Sequence, residues 1–320
     1  MAGLVLIDSY KLVRLKAVLF ALAAGFLAAT VSYFLNGWLL QGSGLVDSDY
    51  SKYVAPFTEE GLKCIWVVYL IYSDRVGFTV DAAILGFGIG AGFAVVENLY
   101  YLSALDASTL TWIIRGFGTA IMHGMTTTVF AIILQSLKQR ENGGRWTASI
   151  IAFAMAYLLH SAYNHAIYQI PPLILAASLI VIAPILISLV FTQSENQTRT
   201  WLGTGFDTDQ ELMKLFMSGE FSKSRIGEYL TSLKEHFKGT IVADMLCLVR
   251  IRVELSIRAK GLLMMREAGF EPKPDEVIRA KFEEMAYLEK AIGKTGLLAI
   301  EPILKWSSQD LWQLNMLAEQ

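Results

Sequence analysis

Along the first three fifths of the chain, apolar residues run in long blocks broken by short polar connections, with no alternation of the strand type. A helix needs about 20 apolar residues to cross the hydrocarbon core of a bilayer. Six blocks are that long: residues 15–40, 54–73, 80–103, 112–137, 147–169 and 172–191. Turn residues fill the gaps, at Gln41-Gly42-Ser43-Gly44, Ser73-Asp74-Arg75, Ala104-Leu105-Asp106 and Glu141-Asn142-Gly143-Gly144, and Pro171-Pro172 parts the last two blocks. The pattern predicts an all-α fold: a polytopic transmembrane helical bundle of about six spans, possibly more, followed by a C-terminal cytosolic helical domain. No repeat of 20–50 residues is visible.

After about residue 192 the chain becomes charged and mixed in sign. Asp207 and Asp209 are expected to open one helix and Ser222 to cap another. A long amphipathic helix from Thr240 to Ala268 should stop at Gly269, ahead of Pro272 and Pro274. Asp275 should begin the next helix, with Gly293 parting it from a final pair. The expected domains are therefore 1–192, membrane-embedded, and 193–320, cytosolic.

Composition agrees with this picture. The 320 residues are 54% hydrophobic and 18% charged, with a mean hydropathy of +0.45, outside the range of ordinary soluble domains. A net charge of −2 leaves no basic excess for nucleic acid. Cys64 and Cys247 have neither disulfide-framework nor metal-site spacing. The first block is too long for a cleaved signal and reads as a retained anchor.

Basic residues set the orientation. Lys11, Arg14 and Lys16 precede or open the first span, Arg75 lies in the second connection, and Lys138, Arg140 and Arg145 flank the fourth. The opposite side carries only Lys52, with Asp47, Asp49 and Asp106. Both termini are thus expected in the cytosol, with the chain in the cytoplasmic (plasma) membrane.

Ionisable groups within spans cost at least about 2.5–3.5 kcal/mol each on insertion scales and demand a reason. Here they are Glu59, Glu60 and Lys63 in the second span, Glu97 in the third, Arg115 and His123 in the fourth, and His160 and His165 in the fifth. At 1.5 Å per residue, Glu60 and Glu97 lie ~9 Å from the outer ends of their helices, with Asn164 ~8 Å, His160 ~14 Å and His123 ~17 Å from theirs. Polar groups on four helices therefore share the outer half of the bilayer. Lys63 can pair with one of the two carboxylates, leaving the other for base work. His160 and Asn164 share a helical face, whereas His165 is turned about 140° from His160. Gly86, Gly90, Phe93 and Glu97 form one stripe of the third span, the glycines permitting close approach. Arg115 reads as an interfacial anchor or a carboxylate partner. Such a set can activate water, with a glutamate as base and His/Glu groups as metal ligands or oxyanion stabilisers.

Four of these segments carry a family resemblance. Glu59-Glu60-Gly61-Leu62-Lys63 resembles the E-E-x-x-K signature of the PrsW intramembrane proteases. Phe93 to Asn98 resembles its F-x-x-x-E-N motif, Arg115 with His123 its third, and His160 to Asn164 its H-x-x-x-N. The likeness covers about residues 50–170 and extends to the superfamily of CAAX prenyl endopeptidases, which have a histidine where this chain has Glu97. It implies a peptidase acting on a membrane-anchored protein substrate within the lipid bilayer. In that reading Glu60 is the general base, supported by Glu59 and Lys63. Glu97, His123 and His160 hold a divalent metal, zinc by preference, and Asn164 stabilises the oxyanion. A metal-free version stays open, with Glu60 and His123 polarising water and His160 with Asn164 as oxyanion hole. The tail lies outside the likeness and is left with regulation, docking of a cytosolic partner, or neither.

A proton- or ion-coupled transporter would use the same buried carboxylates and histidines. Against it, the halves show no inverted repeat and the polar groups cluster on one side. A catalytically idle scaffold would have no need of all four motifs.

Overall fold

The computed structural model describes residues 10, 12–104, 109–139, 144–270, 276–303 and 307–318. Among these residues every regular element is a helix. The expectations placed on Lys11, on Leu105 and Asp106, on Arg140 and residues 141–143, and on Pro272, Pro274 and Asp275 lie outside the described residues, as does the side chain of Arg145.

The chain separates into two compact units, Met1–Glu195 and Asn196–Gln320. In the first unit the apolar blocks form α1 (Leu15–Ser43), α2 (Ala55–Tyr72), α3 (Thr79–Ala104), α4 (Ala120–Gln139), α5 (Arg145–Ile167) and the start of α6 (Pro172–Ser218). Two helices have unexpected starts: a π-helical turn at Tyr50–Val54 leads into α2, and another at Arg115–Thr119 leads into α4. By length and apolarity alone, four stretches qualify as membrane spans: Leu15–Ser43, Thr79–Tyr101, Thr109–Gln139 and Pro172–Ser218. Residues 54–73 and 147–169, the other two expected spans, form the helices α2 and α5, which do not meet that measure. In α2, Glu59, Glu60 and Lys63 lower the apolarity of an otherwise apolar segment. Large apolar side chains such as Phe34, Trp38, Trp146, Val181 and Leu189 are exposed, as lipid contact requires of an integral membrane protein.

Helix α3 is the centre of this unit, and small residues bring its neighbours close. A Cβ at Gly92 would fall on the carbonyl of Leu22 in α1, and a Cβ at Gly90 would fall on the carbonyl of His123 in α4. At such approach distances only glycine fits, and association of helices in lipid depends on this kind of contact. Gly90 thereby sets the depth at which His123 stands.

At the other end of the unit, the 73–78 connection is held by polar side chains. Asp81 Oδ2 accepts from Gly77 N at 3.0 Å, Gln135 Nε2 donates to Gly77 O at 3.0 Å, and Lys138 Nζ donates to Asp74 at 2.7 Å.

The second unit contains the end of α6, then α7 (Arg225–Ser232), α8 (Gly239–Glu267), α9 (Glu276–Ile300) and α10 (Ser308–Ala318). Asp207 and Asp209 open no helix here; both lie inside α6. The cap of α7 is Ser224, which accepts from Gly227 N at 3.1 Å, not Ser222. Gly269, at φ +83°, ends α8, and Gly293, at φ +72°, kinks α9 from within. Asp209 serves a different purpose from the expected one. Its Oδ2 accepts from Ser256 Oγ and Lys260 Nζ, both at 2.6 Å, and Gln313 Nε2 donates to Ser256 Oγ at 2.8 Å. A buried cation requires such a partner.

Candidate active site

Glu59 and Glu60 are adjacent on α2, so their side chains leave the helix about 100° apart and meet different surroundings. Glu60 points into the bundle and is fully buried. Its Oε1 lies 2.6 Å from Lys63 Nζ, 2.8 Å from His160 Nδ1 and 3.2 Å from Thr126 Oγ1. Its Oε2 is buried with no hydrogen-bond partner among the described residues. Glu59 faces a cavity of about 750 Å³, which is also lined by Asn36, Glu97, Arg115, His123, His160 and Asn164. Neither Glu60 nor Lys63 lines it.

Lys63 is buried completely. Besides Glu60, its ammonium meets His123 Nδ1 at 3.0 Å and sits 4.4 Å from the centre of the Phe93 ring. The other nitrogen of His123, Nε2, lies 2.7 Å from Glu97 Oε2. Glu97 is held on its far side by Arg115 Nη2 at 3.4 Å. Arg115 is fixed in turn by Asn98, with Nε donating to Oδ1 at 3.1 Å, and it stacks 4.0 Å from the Tyr101 ring centre. Arg115 is thus a carboxylate partner, one of the two readings its position allowed.

His160 comes from α5. Glu60 accepts at Nδ1, which leaves Nε2 facing Glu59 Oε2 at 3.8 Å. The rings of His123 and His160 stand edge to face with centres 4.9 Å apart. One ligand atom each from Glu59, His123 and His160 can be chosen so that all lie within 4.8 Å of one another. Such a group can hold a divalent cation once His123, whose two nitrogens meet Lys63 and Glu97, frees one of them. Among the described residues Glu59, Glu60 and Glu97 stand against two cations here, Lys63 and Arg115, which leaves one negative charge for a bound cation to offset.

The expected metal set was Glu97, His123 and His160, with Glu60 as base. The geometry divides the carboxylates differently: Glu59 completes the triad, Glu97 sits against His123, and Glu60 stands behind His160, away from the cavity. Asn164 lines the cavity as its helical face suggested, and its Nδ2 donates to Ser51 O at 2.8 Å. With Ser161 Oγ on Lys52 O at 2.7 Å, it ties α5 to the π-helical turn at Tyr50–Val54. His165 looks elsewhere, with Nδ1 on Ser161 O at 2.7 Å and its ring against Tyr53.

Sequence reasoning missed Asn36. It lies in α1, a segment that reads as a plain anchor, yet its Nδ2 reaches Glu59 Oε1 at 3.4 Å. A carboxamide within an apolar span was the signal available. Thr126, three residues after His123, was also missed, because a threonine hydroxyl in a helix commonly bonds its own backbone and gives no sign of reaching Glu60.

A family model described as PrsW family intramembrane metalloprotease matches residues 13–189. No curated protein and no solved structure matches the chain.

Proposed function

The chain belongs to the PrsW family of intramembrane proteases, and we propose that it hydrolyses a peptide bond of a membrane-anchored protein at the floor of the cavity that Glu59, Glu97, His123 and His160 line. The observation that carries this reading is the meeting of Glu59, His123 and His160 within 4.8 Å on three different helices. Glu59, His123 and His160 would hold a divalent metal, zinc by its taste for nitrogen and carboxylate ligands, with His123 giving up its Nε2 proton and its contact with Glu97 to become a ligand. When bound, such an ion polarises the scissile carbonyl and eases deprotonation of water.

Glu97 then has the task first considered for Glu60. It lines the cavity, and Arg115 steadies it at 3.4 Å. As water oxygen bonds to the carbonyl carbon, Glu97 Oε2 takes the water's proton. It returns that proton to the amide nitrogen as the C–N bond breaks, giving a carboxylate and an amine. Asn164 uses one N–H on Ser51, and the second remains for the oxyanion. Glu60 and Lys63 act behind the histidines: Glu60 accepts a hydrogen bond from His160 Nδ1 and so presents Nε2 to the cavity. The domain assignment, the plasma membrane and the cytosolic termini belong to the same proposal, the orientation resting on the distribution of basic residues.

One observation favours a second, metal-free reading. An ammonium only donates, so Lys63 at 3.0 Å makes His123 Nδ1 an acceptor and puts the ring proton on Nε2, toward Glu97. In that arrangement Glu59 takes the water's proton with His160 Nε2 beside it.

Purified full-length protein and a membrane-anchored reporter substrate test both. Under the metal reading, Glu59→Gln loses bound zinc and cleavage, whereas Glu97→Gln keeps zinc and loses cleavage. Stoichiometric absence of metal in an active wild type would leave the metal-free reading. Flux across vesicles with no cleavage of any tethered substrate would remove the protease reading altogether.

A further inference from the structure

We propose that Asn36, on the first membrane helix, is a positioning residue that holds Glu59 in a one-oxygen orientation toward His160. The proposal rests on the assignment of Glu59 to the reacting centre made above.

Asn36 is held from three sides before it meets Glu59. Its Oδ1 accepts from Tyr50 OH at 2.9 Å and Thr58 Oγ1 at 2.5 Å, and its Nδ2 donates to Ser32 Oγ at 3.0 Å. The remaining Nδ2 hydrogen reaches Glu59 Oε1 at 3.4 Å. The amide direction follows from the ionised form in which Glu59 serves as ligand or base. An ionised carboxylate only accepts, so the NH2 must face Glu59; Oδ1 is then left to the two hydroxyls, which can donate. The partners come from α1, from the π-helical turn at Tyr50–Val54 and from α2, so the amide joins three segments at one point.

The consequence concerns the two oxygens of Glu59. Oε1 is occupied by Asn36, while Oε2 faces His160 Nε2 at 3.8 Å. A carboxylate free to rotate could offer both oxygens or neither. With one oxygen tethered, the other is presented singly, as a ligand or as a proton acceptor. Partners of this outer kind typically change metal affinity or turnover by about 10- to 100-fold. The first helix therefore contributes to the chemistry as well as to anchoring.

The experiment uses the full-length protein in lipid nanodiscs with a membrane-anchored reporter. Asn36→Leu keeps the shape and suits lipid but removes the amide; Tyr50→Phe removes one support of that amide. Zinc affinity by competition with a chelator, kcat and KM are measured for wild type, Asn36→Leu, Tyr50→Phe, Glu59→Gln, Glu59→Asp and the Asn36→Leu/Glu59→Asp double variant. Expected are a loss of about 10- to 100-fold in kcat and in zinc affinity for Asn36→Leu, a KM within about twofold, and a smaller loss for Tyr50→Phe. Glu59→Asp, which keeps a carboxylate but withdraws it from Asn36, leaves residual activity on which a second loss is readable; the double variant should be no worse than Glu59→Asp alone, because Asn36 acts through Glu59, whereas a merely structural residue would add its loss. If active wild type binds no zinc, the same cycle is read in kcat. An active wild type with Asn36→Leu unchanged, or with additive losses, overturns the role of Asn36 alone. Full activity in Glu59→Gln overturns the functional reading and this inference with it.

Discussion

Glu60 Oε1 and His160 Nδ1 meet at 2.8 Å although 100 residues separate them in the chain. The contact fixes the tautomer of the imidazole: with the proton on Nδ1, the Nε2 lone pair is turned toward Glu59. It also places Glu60 outside the cavity lining, in a buried pair with Lys63 at 2.6 Å. Two adjacent glutamates thus meet different surroundings, Glu59 at the cavity and Glu60 in a buried pair behind it.

The separation is measurable. Glu59→Gln should abolish reporter cleavage while leaving the melting temperature within a few degrees of wild type. Glu60→Gln leaves the buried Lys63 without its anion, a change that costs about 3–5 kcal/mol in comparable pairs. Thermal unfolding in detergent should register it as a fall of roughly 10 °C. The reverse pattern, a stable inactive Glu60→Gln and an unstable Glu59→Gln, would exchange the two roles.

Close packing of α3 on α4 gives a second test. A Cβ at Gly90 would collide with the His123 carbonyl, whereas one at Gly116 meets nothing within 4 Å. Gly90→Ala should therefore destabilise by about 1–3 kcal/mol and lower cleavage by displacing His123. Gly116→Ala should leave the melting temperature near that of wild type. Equal melting of the two variants would mean that α3 and α4 yield more easily than this contact suggests.

Much of this was legible because membrane helices announce themselves by apolar length, and because ionisable residues within them are scarce enough to be noticed. Glu97, His123 and His160 could be brought to one depth by counting residues along helices. Depth says nothing of rotation, however. Whether Glu59 or Glu60 faces the cavity depends on the angular setting of α2, which its packing among neighbouring helices decides. Asn36 gave only the signal of a lone carboxamide in an apolar run: its partner Glu59 lies 23 residues away on another helix, and a single amide carries no spacing to pair them. In the second unit, Asp207 and Asp209 look like helix starters, but the helix from the preceding span continues through them, and Lys260 claims Asp209.

The two histidines of α5 should differ sharply. His160 is buried between Glu60 and Glu59, while His165 bonds its own helix at Ser161 O and packs on Tyr53. His160→Ala should remove cleavage to background. His165→Ala should change kcat/KM by no more than about threefold, the scale of a 0.6 kcal/mol perturbation. Comparable losses at both positions would place His165 in the site.

Metal dependence can be read without any substrate. A ligand that binds the folded state alone raises stability by RT ln(1 + [L]/Kd), about 2.7 kcal/mol at a hundredfold excess over Kd. If Glu59, His123 and His160 hold zinc, apo protein prepared with a chelator should melt several degrees higher on addition of zinc. The gain should vanish in Glu59→Gln and His160→Ala, which lack a ligand of the 4.8 Å triad. It should persist in His165→Ala, whose ring is committed to Ser161. Magnesium should give little, because it favours oxygen ligands and sheds its water reluctantly. A melting curve indifferent to zinc, in protein that still cleaves, would leave the carboxylate of Glu59 and the imidazole of His160 to handle the water's proton by themselves.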